Sequence, residues 1–141
     1  MEKIKSILED AVKHLTGDAT CVLARPGKKL EISKEKGILP LLLWMRADQG
    51  YLQDAVIADR IIGRAAAFLA VYGGARAVYG EVMSAGAVPI MEEAGILYSY
   101  KTITERIINR KGDGPCPMEQ AVFGVRNPSL AAAILQAKVF G

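Results

Sequence analysis

The stretch Val56-Ile57-Ala58-Asp59-Arg60-Ile61-Ile62-Gly63-Arg64-Ala65-Ala66-Ala67-Phe68-Leu69-Ala70-Val71-Tyr72 holds the densest apolar pattern of this 141-residue chain. From Asp59 onward, Ile61, Ile62, Ala65, Ala66, Ala67, Phe68, Leu69, Ala70 and Val71 leave almost no polar side to face water. A helix that is apolar all round belongs in an interior, so the pattern predicts a buried helix over 59–72 at the centre of the fold. Asp59 is placed at its N-terminus, where a carboxylate can accept from free backbone N–H groups.

Weaker signals flank this segment. Ile4, Ile7, Leu8, Ala11, Val12 and Leu15 recur at helical spacing and predict an amphipathic helix that stops near Gly17. Thr20 to Ala24 and Leu30 to Ser33 are β-prone runs on either side of the polar turn Arg25-Pro26-Gly27-Lys28, which predicts a hairpin. The apolar run Gly37 to Met45 is about half the length needed to cross a bilayer; with Pro40 in its first turn, it reads as a second buried helix ending before Gly50. Beyond the central segment the chain alternates: a strand over 75–82, a helix over 87–94 closed by Gly95, and a strand over 96–103. A loop rich in glycine, proline and charge, Asn109-Arg110-Lys111-Gly112-Asp113-Gly114-Pro115-Cys116-Pro117, leads into two terminal helices over 117–123 and 128–139. The order predicts one α/β domain over 1–141, layered α-β-α around a mixed sheet.

Composition narrows the function classes. Eighteen Lys and Arg against fifteen Asp and Glu leave a net charge of +3, too weak and dispersed for a nucleic-acid footprint. The N-terminus mixes both charge signs and has no signal-like apolar run, and no segment is suited to span a membrane, so a cytoplasmic protein is expected. Cys21 and Cys116 are distant in sequence and fit neither a disulfide framework nor a redox pair. A small, strongly apolar chain is compatible with a homodimer.

The element order resembles the cytidine-deaminase-like fold, in which two helices bring their N-termini together to build the site. The segments 56–67 and 109–119, with Thr20-Cys21-Val22-Leu23 and Gly37-Ile38-Leu39-Pro40-Leu41-Leu42, are similar to a small uncharacterised prokaryotic family, a domain of unknown function. The resemblance spans nearly the whole chain. It implies the deaminase-like fold and supplies no catalytic residues, because fold alone does not carry function.

Zinc deaminases use a His or Cys followed by Glu at the start of one helix and Pro-Cys-x-x-Cys at the start of the next. This chain has Ala58-Asp59-Arg60-Ile61-Ile62-Gly63-Arg64 and Met83-Ser84-Ala85-Gly86-Ala87-Val88 where those motifs are expected. His14, Cys21 and Cys116 share no ligand spacing, so neither a metal nor a cofactor is expected.

Three functional readings follow. In the first, a zinc-free domain binds a small anionic or nucleotide-like ligand through Asp59, Arg60, Arg64, Ser84, Asn109, Arg110 and Lys111. Its main signal is Arg60 and Arg64, four apart on one predicted helix, where like charges repel unless an anion or an internal carboxylate from Asp59, Glu81 or Asp113 lies between them. In the second, Cys116 is a nucleophile or sulfur carrier at a helix N-terminus, with Asp113 and Glu119 orienting its partners. In the third, the domain is a structural or partner-binding module.

Overall fold

The computed structural model describes residues 2–109 and 111–141. The chain forms α1 (Glu2–Lys13), β1 (Cys21–Ala24), β2 (Glu31–Ser33), α2 (Leu39–Ala47), β3 (Val56–Ile62), α3 (Arg64–Gly73), β4 (Ala77–Ser84), α4 (Ala87–Glu93), β5 (Leu97–Thr104), α5 (Pro117–Ala121) and α6 (Pro128–Phe140). The five strands make one sheet in the order β2-β1-β3-β4-β5. The predicted hairpin is the antiparallel pair β1–β2, and β1 also runs antiparallel to β3. Strands β3, β4 and β5 are mutually parallel, so the sheet is mixed.

The central segment corrects the sequence reading. Val56–Ile62 is the middle strand of the sheet, and the helix begins only at Arg64, with Gly63 as its N-cap. A strand covered on both faces has the same continuous apolar run as a buried helix, and a single residue separates the two elements here. Asp59 is therefore not a helix cap, and Arg60 and Arg64 do not share a helical face.

Helices lie on both faces of the sheet. Side chains alternate along the strands: Cys21, Leu23, Ile57 and Val78 join the larger core with residues of α2, α3, α4 and α6, whereas Val22, Ala24, Val56, Ala58 and Ala77 pack with Leu8, Ala11 and Leu15 around α1. The paired positions of the parallel strands skip one row, Arg60–Glu81–Lys101. Beyond that row the alternation is shifted, since Ile62 and Met83 enter the same core as Ile57 and Val78. The shift turns the last residues of β3 and β4 so that apolar side chains support α3 from beneath.

Helix α3 lies deep in this core: Ala65 through Ala70 are all buried. Small alanines let its backbone approach the sheet and α6 closely, and Gly73 continues the fit, since a Cβ there would stand 2.7 Å from the Leu52 side chain. Pro128 opens α6, and the Asn127 side chain caps it by accepting the Leu130 N–H at 3.1 Å. Among the described residues no helix is long and apolar enough to cross a membrane.

Candidate ligand-binding site

In an open α/β sheet the carboxyl ends of the parallel strands, where the chain turns into helices, are the usual place for a site. Here β3 delivers Gly63 and Arg64 to that edge, and β4 delivers Ser84, Ala85 and Gly86. The starts of α3 and α4 touch. A Cβ on Gly86 would meet Arg64 Nε at 2.5 Å, so the arginine side chain lies across the space that a larger residue at 86 would occupy.

Glu119 is bound at the start of α3. Its carboxylate accepts the Arg64 N–H at 2.7 Å and the Ala65 N–H at 2.8 Å, satisfying two of the free donors at the helix N-terminus. A Cβ on Gly63 would stand 2.6 Å from that carboxyl group. Cys116 and Glu119 occupy the N-cap and N3 positions of α5, the spacing of a capping box, yet the carboxylate serves another helix.

Arg64 also lines a recess of about 540 Å³ between α3, α4 and the connection into α6. Its walls include Phe68, Val71, Pro89, Ile90 and Val125, and its charged residues are Arg64, Arg126 and Glu93. None of these three makes an ion pair within 4.0 Å among the described residues. The Arg64 guanidinium lies 5.8 Å from the centre of the Phe123 ring, whose side chain is otherwise largely exposed.

A family model described as a domain of unknown function, DUF1893 (TM1506), matches residues 10–139. The chain belongs to the DUF1893 family. The fold is similar to the crystal structure of a DUF1893 family protein (TM1506) from Thermotoga maritima, with a TM-score of 0.84 and 24% sequence identity over 95% of this chain and 90% of that one. No curated protein matches this DUF1893 chain.

The residues predicted to form one anion site are divided in this DUF1893 domain. Asp59 and Arg60 line a second recess of about 350 Å³ with Thr20, Lys36, Gly37 and Ile61. Asp59 lies in β3 opposite Cys21, 5% exposed, and accepts the Ile61 N–H at 3.4 Å. Burial pushes its carboxyl up to about 7, with the hydrogen bonds from Ile61 and Cys21 opposing the shift, and burial likewise pushes the Cys21 thiol up. Arg60 is engaged inside the protein: it pairs with Glu81 at 2.9 Å and donates to the carbonyls of Ala19 at 3.0 Å and Gly17 at 3.1 Å. Its charge is thus met by one of the carboxylates foreseen as an internal partner.

Ser84 ends β4, one step beyond the Ile62–Met83 pair, and its buried Oγ has no hydrogen-bond partner among the described residues. The 109–117 loop closes on itself. The Asn109 side chain donates to Asp113 Oδ1 at 3.0 Å and accepts the Asp113 N–H at 3.3 Å, while the Asn109 main chain donates to the Gly114 carbonyl at 2.8 Å. Gly112 has a φ of 75°, so this tight turn needs its glycine. Lys111 is exposed, and Arg110 lies outside the described residues. Cys116 is half-buried at the N-cap of α5 as anticipated, but Asp113 and Glu119 are turned to Asn109 and to α3.

His14 sits on the exposed side of the chain just after α1, beside the Asp10 carbonyl, and Cys21 is in the core. Among the described residues, no three His, Cys, Asp or Glu side chains gather into a group able to hold a metal ion. The sequence reading missed Glu93, Phe123 and Arg126, which lie on separate elements with no motif spacing to link them. The two glycines, Gly63 and Gly86, each directly before a helix, were the available signal.

Proposed function

We propose that this DUF1893 chain is a zinc-free, cytidine-deaminase-like domain that binds a small anionic or nucleotide-like ligand in the recess between α3 and α4. The observation that carries this reading is that Arg64 and Arg126, from separate elements, line one recess without a carboxylate partner among the described residues. Two uncompensated guanidinium groups suit a phosphate or carboxylate, and the Phe68, Ile90 and Val125 walls suit an apolar or planar body. The meeting of two helix starts at the ends of adjacent parallel strands supports the deaminase-like assignment. In place of the zinc motifs stand Gly63-Arg64-Ala65-Ala66 and Ala85-Gly86-Ala87-Val88.

A thermal-shift series with inorganic phosphate, nucleoside monophosphates and nucleosides tests the reading, because a ligand of the folded state raises the melting temperature by mass action. Stabilisation by the phosphorylated compounds that is lost in both Arg64→Ala and Arg126→Ala is expected. Stabilisation that survives both substitutions would place the ligand elsewhere, and none at all would favour a partner-binding module. A cysteine-dependent enzyme or sulfur carrier at Cys116 draws less support, because the two carboxylates assigned to assist it are bound to other groups.

A further inference from the structure

The α3–α4 recess has two unlike ends. Strands β3, β4 and β5 are parallel, and α3 and α4 pack on the same face of the sheet, so both helices run back in the same direction. Arg64 and Gly86 therefore stand together at one end, and Val71 and Glu93 at the other. Each pair of positions on one helix, 64 to 71 and 86 to 93, is seven residues apart, a separation of about 10 Å along the axis. The end that holds Arg64 is the N-terminal, positive end of the ten-residue α3, and the far end holds Val71 near the C-terminus of α3 and Glu93, the last residue of α4. Apolar side chains, Phe68, Pro89 and Ile90, lie between.

We propose that the ligand is dipolar, with an anionic group held at the Arg64 end, an apolar middle on Phe68 and Ile90, and an ammonium or other N–H donor held by Glu93. This deepens the anion-binding reading and rests on it. An anion with an apolar tail would leave the Glu93 carboxylate without a partner in the recess, whereas a cationic tail supplies one. The Glu93 carboxylate makes no hydrogen bond or ion pair among the described residues, the nearby Tyr98 hydroxyl donating to Glu92 instead, so no internal group already takes that place.

Aminohexylphosphonate and heptylphosphonate separate these possibilities, since they share length and anion and differ only in carrying an ammonium or a methyl group at the far end. Their affinities, with inorganic phosphate as a third probe, are measured by calorimetry on the wild-type chain, Arg64→Ala and Glu93→Gln. The expected result is that the amino compound binds the wild type roughly three- to fivefold more tightly, the range of an exposed ion pair. Glu93→Gln removes that preference without weakening heptylphosphonate, and Arg64→Ala weakens both phosphonates. Equal affinities, or a preference for heptylphosphonate, together with sensitivity to Arg64→Ala, would overturn the dipolar ligand and leave the anion site standing. Binding of all three probes that is indifferent to Arg64→Ala, or no binding of any, would overturn the anion site and the dipolar ligand with it.

Discussion

Glu119 and Arg64 are 55 residues apart in the chain, and the Glu119 carboxylate accepts the Arg64 main-chain N–H at 2.7 Å. The second oxygen takes the Ala65 N–H at 2.8 Å, so one side chain from the short α5 caps the most buried helix of the protein. Substituting Glu119→Ala leaves two helix donors without partners and is expected to cost about 1–3 kcal/mol. Glu119→Gln keeps an acceptor and should lose less. Urea unfolding of the three proteins measures the difference, and equal midpoints would show that the cap contributes nothing.

Gly63→Ala addresses the same contact from the other side. The added Cβ would stand 2.6 Å from the Glu119 carboxyl, and a flexible side chain can withdraw from it. The expected cost is therefore close to that of Glu119→Ala, and the double substitution should cost clearly less than the sum of the two. A double-mutant cycle that comes out additive would mean that Gly63 is required for another reason.

Asp59 makes stability depend on pH. Its carboxyl titrates near 7 in the folded protein and at 3.8 in the reference state, so between these values the folded chain keeps a proton that the unfolded chain has lost. The group's contribution is largest below about 4, is lost as pH rises toward 7, and is constant above that. Unfolding free energies from pH 4.5 to 8 should fall more steeply for the wild type than for Asp59→Asn. Parallel curves would refute a proton held at this position.

The two cysteines should differ in access. Cys21 is fully buried in the core, whereas Cys116 is half-buried at the start of α5. Under native conditions iodoacetamide should modify Cys116 first, with Cys21 reacting only on unfolding. Mass spectrometry of a labelling time course reads this directly, and simultaneous modification would indicate that the core opens readily.

Arg60 and Glu81 form a partly exposed pair, worth less than about 1 kcal/mol. Because Arg60 also donates to the Ala19 and Gly17 carbonyls, Arg60→Ala should destabilise more than Glu81→Gln. Thermal melts of both variants decide the order.

Most elements were legible where amphipathic or alternating patterns met a glycine or proline: the β1–β2 hairpin, α2 with Pro40 in its first turn, and α4 before Gly95. Strand β3 was not, because both of its faces are covered and its apolar run passes into α3 across Gly63 alone. That merger also misplaced the candidate site. Arg64 was singled out and does line the recess, but its partners there, Arg126 and Glu93, come from distant positions that only tertiary packing brings together. Glu119 was marked for its proximity to Cys116 in sequence, while its carboxylate is directed by space toward α3. Local spacing encodes neighbours along the chain, and this recess is lined from across it.

The dependence of α3 on Glu119, and on α6 packed against it, has a consequence for biosynthesis. The helix at the centre of the molecule is synthesised well before the groups that complete it, since Glu119 follows Arg64 by 55 residues and α6 begins later still. A nascent chain ending at Gly114 should therefore lack a cooperative melt, with the alanine-rich face of α3 left open to water. Until α5 and α6 have emerged, the apolar face of α3 that they cover has no partner within the chain.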